Sequence, residues 1–147
     1  MTRPIRTLTT DNLHHVLVEK LDWEFSYSLI ATQDRFEHRP YTRIVVLSIS
    51  GTITKGDKNG ISTATLFVYP KEFDERQSSN GPIGSGSKKK EHIEFVTQLP
   101  QQDIHGILAV AGSGRLNALS LAFSSFKWNR ATLHSISFNT MVDEDNW

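Results

Sequence analysis

The chain has 147 residues, no cysteine and 16 basic against 16 acidic residues, so its formal net charge is zero. This length suits one domain with its own core, and we expect a single domain over residues 1–147. The missing cysteines exclude disulfides, thiolate nucleophiles and cysteine-based metal sites. The balanced charge argues against capture of nucleic acid or of a membrane surface by an overall basic protein, although it leaves local patches open.

The sequence also carries no targeting signal that we can identify. Residues 1–6 are positively charged, but no apolar stretch follows them, so no secretory signal is predicted. No run approaches the ~18 apolar residues of a membrane span. The absence of cysteine suits a reducing compartment, and we therefore expect a cytoplasmic protein without a membrane partner.

Residues 13–20 fit two kinds of local structure. Leu13, Val16 and Leu17 recur at helical spacing, which favours a helical turn. No glycine or proline separates them from the segment that follows, so an early start of the next strand fits as well.

Residues 21–29 show the clearest pattern in the chain, because apolar and polar side chains alternate at every position. Trp23, Phe25 and Tyr27 fall on one side of this alternation. Side chains of a strand point to opposite faces with a period of two, so the pattern predicts a strand with one buried and one wet face. We expect the three rings to form a buried core stripe, and an exposed stripe that stacks sugars or meets a partner is the alternative.

The remaining strands are predicted from similar alternation and from the turns between them. Asn59 and Gly60 form the favoured hairpin dipeptide, so the strands on either side of them should pair antiparallel. Residues 127–130 should connect the last two strands. The predicted strands cover residues 43–54, 60–69, 91–99, 116–126 and 131–138.

Residues 75–90 differ from the rest of the chain in being rich in glycine, serine, proline and charge. Such a segment buries too little to offset its ordering entropy, and it predicts a flexible loop inside the domain. The spacing of its glycines and Lys88 does not fit a phosphate-binding P-loop. Lys88, Lys89 and Lys90 are typical of a solubilising run, and no aromatic residue accompanies them in the loop.

One helix is predicted near residues 100–111. Ile104, Ile107 and Leu108 share a helical face, and Gly112 is placed to end the helix. Residues 142–147 form an acidic tail that we expect to be frayed. Together the elements predict an all-β fold, a β-sandwich or flattened barrel of seven or eight mainly antiparallel strands with this one short helix.

No set of residues points to catalysis or to a cofactor. His92 and Glu94 share a strand face, but a zinc site needs at least a third ligand. The Gly-Ser-Gly segments at 84–86 and 112–114 lack the five-residue pattern of a nucleophile elbow. We therefore expect no enzyme activity, no metal and no cofactor.

Aromatic and basic side chains are the candidate contact residues. Trp128 lies in a predicted turn, where a large ring is hard to bury, and exposed aromatics are enriched at interfaces. The candidate set for a partner or ligand contact is Trp128, Phe126, Lys88, Lys89, Lys90, Trp23 and Tyr27.

These observations favour a non-enzymatic interaction or assembly module. Sheet edges pair readily with other chains, and zero net charge does little to resist association, so the expected partner is a second copy of the chain. The alternative is a sandwich or barrel that holds a sugar or another small ligand against Trp23, Tyr27 or Trp128. An enzyme ranks third, and a nucleic-acid binder that uses Lys88, Lys89 and Lys90 ranks fourth.

Overall fold

The structure, a computed structural model, describes residues 13–31, 41–56, 60–71 and 82–140. The predicted all-β class with one short helix is confirmed. The described residues form seven strands and one helix: β1 His14–Ala31, β2 Tyr41–Gly56, β3 Thr63–Pro70, β4 Gly84–Lys89, β5 His92–Leu99, α1 Gln101–Gly112, β6 Ala118–Phe123 and β7 Arg130–Asn139.

The strands close into a barrel in the order β1-β2-β3-β5-β4-β7-β6. Strands β3 and β5 pair parallel, and every other neighbouring pair is antiparallel. The predicted antiparallel pairing of β2 with β3 is therefore confirmed, while Asn59 itself lies outside the described residues. Closure leaves the barrel proper without open sheet edges.

The barrel interior is filled by the inward side chains of each strand. In β3 these are Ala64, Leu66 and Val68, which are all buried, and the residues between them are more exposed. The rings of Phe95 and Phe123 meet across the interior with centroids 5.2 Å apart. This tight, continuous packing is the main source of stability for a fold of this kind.

Residues 14–18 are a strand, so the helical turn favoured for residues 13–20 is wrong. Val16, Leu17 and Val18 are consecutive and all buried. This stretch of β1 pairs with β6 on one side and with β2 on the other, which makes it the seam that closes the barrel. The local spacing is ambiguous, and the backbone hydrogen bonds on both edges decide in favour of the strand.

The predicted loop at 75–90 is also corrected, because Gly84–Lys89 form β4 between β5 and β7. A Cβ added at Gly86 would collide with the buried ring of Phe95, and one at Gly84 would collide with the carbonyl oxygen of Val96. Glycine is therefore required here by close approach, although it is usually depleted in strands. Residues 75–81 and the tail at 142–147 lie outside the described residues.

Helix α1 agrees with its prediction to within about one residue. Ile104 is buried, and Ile107 and Leu108 pack against the core. The helix follows the end of β5 and precedes the start of β6, so it lies at one end of the barrel, which we call the helix end. The opposite end carries the β4–β5 and β6–β7 turns and the start of β1, and we call it the turn end.

Strands β1 and β2 extend past the rest of the sheet. The pairing of β1 with β6 ends at Val18, and that of β2 with β3 begins at Leu47. The two long strands nevertheless pair with each other as far as Ala31 and Tyr41. Residues 22–31 and 41–50 thus form a ribbon that leads away from the helix end, and it is two-stranded where residues 26–31 pair with residues 41–46.

A β-bulge at Lys20 starts the ribbon. Lys20 has a φ of 54°, and the register with β2 shifts between Glu19 and Asp22. One extra residue in a strand moves the following side chains to the opposite face, so the inward positions change from Val18 before the bulge to Trp23 after it.

We expect Gly51→Ala to lower the free energy of unfolding by about 1–3 kcal/mol. A Cβ at this position would lie 2.5 Å from the carbonyl oxygen of Glu19 and 2.8 Å from Val18 Cγ1, where the bulge crosses β2. Urea denaturation followed by circular dichroism measures the change.

The matched control is Gly106→Ala, on helix α1. An added Cβ there has nothing within 4 Å, so this substitution should raise stability by about 0.5–1 kcal/mol through helix propensity. If Gly51→Ala were as stable as the unsubstituted chain, the result would contradict the close contact between Gly51 and β1 at the bulge.

Candidate functional site

The structure divides the predicted contact residues between the two ends of the barrel. Two of them, Trp23 and Tyr27, lie on the ribbon that leaves the helix end. The other five lie at the turn end and are Trp128, Phe126, Lys88, Lys89 and Lys90.

The aromatic stripe of the ribbon is exposed, so the expectation of a buried core stripe is wrong. Trp23 is 37% exposed, Phe25 42% and Tyr27 55%, and Leu29 continues the same face. The alternation that predicted a buried face is real, but β1 has left the barrel by this point. The stripe therefore consists of Trp23, Phe25, Tyr27 and Leu29 on a strand that no second layer of the described residues covers.

The stripe continues the inner face of the barrel. Phe25 lies opposite Leu47, and Tyr27 lies opposite Val45, in the β1–β2 register. Both β2 residues are buried. Directly opposed side chains share a face of the sheet, so the face that is buried inside the barrel continues along the ribbon as the face that carries the exposed rings.

The ribbon also has open backbone edges. Among the described residues, none pairs with β1 beyond Val18 on the β6 side or with β2 before Leu47 on the β3 side. Open edges present unpaired N–H and C=O groups, which is the usual starting point for pairing with another chain.

The turn end is built around a tight hairpin between β6 and β7. Trp128 and Asn129 have φ values of 55° and 60°. Lys127 and Arg130 exchange two backbone hydrogen bonds of 2.8 and 3.0 Å across them. Positive φ at both central residues is the signature of a type I′ turn, the favoured two-residue hairpin connection.

Lys88 joins this turn to the neighbouring strand. Its backbone N–H donates to the carbonyl oxygen of Asn129 at 2.7 Å. Its ammonium lies 5.3 Å from the ring centroid of Phe126, a cation–π distance. Phe126 is partly buried and packs on Phe123 with centroids 5.7 Å apart, so its ring supports the turn from within.

Trp128 has the opposite environment from Phe126. Its side chain is 89% exposed, the most exposed of the large apolar residues described. The ring stands beside an open cleft of about 660 Å³ on the outer surface of β4, β5 and β7. Ser85 and Ser87 form the floor of this cleft, and Arg130 is on one wall with Glu94 on the other.

Positive charge is concentrated around the cleft. Lys89 and Lys90 are exposed at the β4–β5 turn, and Lys127 and Arg130 are exposed at both sides of the Trp128 turn. Among the described residues of these two turns and the strand ends beside them, five are basic when Lys88 is included and two, Glu91 and Glu94, are acidic. A chain with no net charge thus carries a basic surface at one end.

His92 is held by neighbouring hydroxyls rather than placed in a metal site. Its Nδ1 lies 2.7 Å from Thr63 Oγ1 and its Nε2 lies 3.2 Å from Thr65 Oγ1. Glu94 is on the same strand face, 3.9 Å away. Within the described ranges, no three histidine, aspartate or glutamate side chains are grouped to hold a metal ion, and no helix has the length and apolarity to cross a membrane.

The sequence alone did not identify four residues of the cleft, which are Lys127, Arg130, Ser85 and Ser87. The signal for the first two was present, since Lys127-Trp128-Asn129-Arg130 places a tryptophan between two cations in a predicted turn. The serines carried no such signal, because their segment was assigned to a loop.

No family model matches the chain, and no match was found among curated proteins or among solved structures. The candidate sites therefore depend on the geometry of this chain alone.

We expect Trp128→Asn to raise the free energy of unfolding by about 1 kcal/mol. A bulky residue at positive φ costs of order 1–3 kcal/mol, and asparagine accepts this backbone conformation more readily. The exposed ring contributes little packing that would be lost. Thermal and urea denaturation measure the difference.

Tyr69→Asn is the control, because Tyr69 is also partly exposed but lies in a strand, where it is paired with Gln98 of β5. That substitution should lower stability, since asparagine is a poor strand former. A destabilised Trp128→Asn would show that the ring packs on the protein after all.

Proposed function

We propose that this protein is a non-enzymatic assembly module that self-associates through the ribbon. The observation that carries the proposal is the exposed stripe of Trp23, Phe25, Tyr27 and Leu29, which continues the inner face of the barrel. Large apolar side chains aligned on one exposed face typically mark an interaction surface.

The size of the stripe supports a contact with a second copy. At ~150–250 Å² per aromatic side chain, the three rings leave roughly 200–340 Å² exposed. Leu29 brings the total into the range of ~300–600 Å² that is typical of the largest, often functional, patch on a monomer. The remainder of a standard interface, about 800 Å² per partner, comes from the ribbon backbone and its flanking side chains.

A two-fold arrangement fits the shape of the ribbon. From Asp22 to Ala31 the strand extends for about 30 Å, so two ribbons can lie against each other with stripe facing stripe. Such an interface is isologous, because the same patch is used by both copies. It closes after two copies and does not propagate into a fibre.

The opposite face of the ribbon is not equivalent to the stripe. Asp22, Glu24, Ser26 and Ser28 alternate with the rings and point to the other side. Ile30 and Ile44 are exposed on that side at 50% and 45%, but the residues that precede Ile30 on this face of β1 are all polar or charged. The stripe is thus the one face of the ribbon that is apolar along the length of β1.

We expect the double substitution Phe25→Thr, Tyr27→Thr to convert a dimer into the 16.6 kDa monomer. Threonine keeps the strand preference while it removes most of the apolar contact. Because about half of each replaced side chain is buried in one copy, the monomer should also lose about 1–3 kcal/mol of stability, and it should remain folded. Sedimentation velocity over a concentration series and native mass spectrometry measure the assembly state.

The matched control is Ile30→Thr, Ile44→Thr, which removes two similarly exposed apolar side chains from the other face of the same ribbon. This variant should dimerise like the unsubstituted chain. An unsubstituted chain that stays monomeric at high concentration, or a control that loses the dimer equally, would contradict the proposal.

A further inference from the structure

We propose that the turn end of the barrel binds single-stranded nucleic acid, with a base stacked on Trp128 and the phosphates held by the surrounding cations. This site lies at the opposite end from the ribbon, and it does not depend on the proposed self-association. Three features of the described residues carry it: a displayed ring, a local excess of positive charge and a cleft beside the ring that offers several hydrogen-bonding side chains.

The ring of Trp128 is displayed on a fixed backbone. Its φ of 55° is unfavourable for a bulky residue. Backbone hydrogen bonds between Lys127 and Arg130, and from Lys88 to Asn129, hold the turn in place. Backbone strain of this kind tends to be retained where it serves function, and here the strained residue presents an almost fully exposed aromatic face.

Folding brings two groups of cations to the turn end, and Lys127 and Arg130 line the cleft together with Trp128. Lys127 and Arg130 flank Trp128 in the chain, while Lys88, Lys89 and Lys90 come from the adjacent β4–β5 turn. The lysine run appeared to lack an aromatic partner in the sequence. The fold supplies two, Trp128 beside it and Phe126 beneath Lys88.

The cleft offers space and hydrogen-bonding groups for a nucleotide. Its volume of about 660 Å³ lies within the usual range for small-ligand sites. Ser85, Ser87 and Thr132 line it with hydroxyls, and Glu94 provides a carboxylate. A carboxylate on the cleft wall accepts hydrogen bonds from the exocyclic amino groups of bases.

This combination favours a single strand over other polyanions and over sugars. Stacked aromatic faces with nearby cations are the recurring means of single-strand recognition, because every unpaired base has an exposed face. In a duplex those faces are covered. An acidic peptide matches the cations but offers no base to the ring, and a neutral sugar matches the ring but makes no use of five cations.

The first experiment is fluorescence anisotropy with a labelled oligodeoxycytidylate of about 16 nucleotides, whose bases carry the exocyclic amino group. Binding should be measurable at about 50 mM salt and should weaken steeply towards 200 mM as counterions are released. The slope of log K against log salt should be close to −0.7 for each phosphate contacted.

Trp128→Asn separates stacking from charge, because it leaves every cation in place. We expect it to weaken binding roughly 5- to 150-fold, the range for loss of one stacked base, with the salt slope unchanged. Trp128→Tyr keeps a ring and should restore most of the affinity. The tyrosine variant also shows that loss of binding in the asparagine variant is not loss of the turn.

Lys127→Gln, Arg130→Gln tests the charge in turn. It should weaken binding and reduce the salt slope by about 1.4 if both side chains contact phosphate. The matched control is Lys71→Gln, Arg115→Gln, which removes two exposed cations near the helix end. The control should leave affinity and slope unaltered.

Three competitors decide among the occupants: a duplex of the same length, polyglutamate and a panel of neutral oligosaccharides. The proposal expects the single strand to bind tightest, with affinity sensitive to Trp128. No binding at low salt would overturn it. Polyglutamate or a duplex that binds with the same affinity as the single strand, and whose affinity does not depend on Trp128, would also overturn it. Binding of an oligosaccharide instead of the single strand would overturn it as well.

The ribbon variant Phe25→Thr, Tyr27→Thr keeps the two proposals distinguishable. Its turn end is unaltered, so it should still bind the oligonucleotide as a monomer. A variant that no longer dimerises but still binds the oligonucleotide supports the present proposal. An unsubstituted chain that dimerises but does not bind the oligonucleotide overturns the present proposal and leaves the assembly proposal unaffected.

Discussion

The structure depends on how β1 is shared between the barrel and the ribbon. Its first residues, His14–Val18, hydrogen-bond to β6 and β2 together and close the barrel. The bulge at Lys20 then shifts the register, and the close approach of Gly51 makes room for the crossing. Without that shift Trp23 would point to the other face of the sheet, and the apolar stripe would no longer continue the barrel interior.

This division places the two candidate surfaces at opposite ends of the barrel. The ribbon with its stripe leaves the helix end, and the type I′ turn with Trp128 lies at the turn end. Contact between two ribbons therefore leaves the Trp128 cleft of each copy accessible. A dimer formed in this way carries two basic clefts pointing away from its interface, an arrangement suited to holding one long polyanion at two points.

The two sites differ in how far local sequence predicted them. The rings at Trp23 and Tyr27 were correctly placed on one face of a strand, and Trp128 was correctly placed in an exposed turn. The predicted burial of the stripe is wrong, because alternation indicates which residues share a face of the strand but does not indicate whether another layer covers that face. The segment Gly84–Lys89 was assigned to a loop for a related reason: its glycines are poor strand formers alone, and they are needed once Phe95 packs against them.

The sequence by itself determined the class of fold, most strand positions, the helix at Gln101–Gly112 and the tight turn at Trp128, since each follows from side-chain periodicity or turn chemistry within a few neighbouring residues. Only the tertiary structure decided the barrel closure through β1, the parallel pairing of β3 with β5, and the meeting of Lys88 with the Trp128 turn. These depend on hydrogen bonds and packing between residues far apart in the chain, which no local pattern encodes.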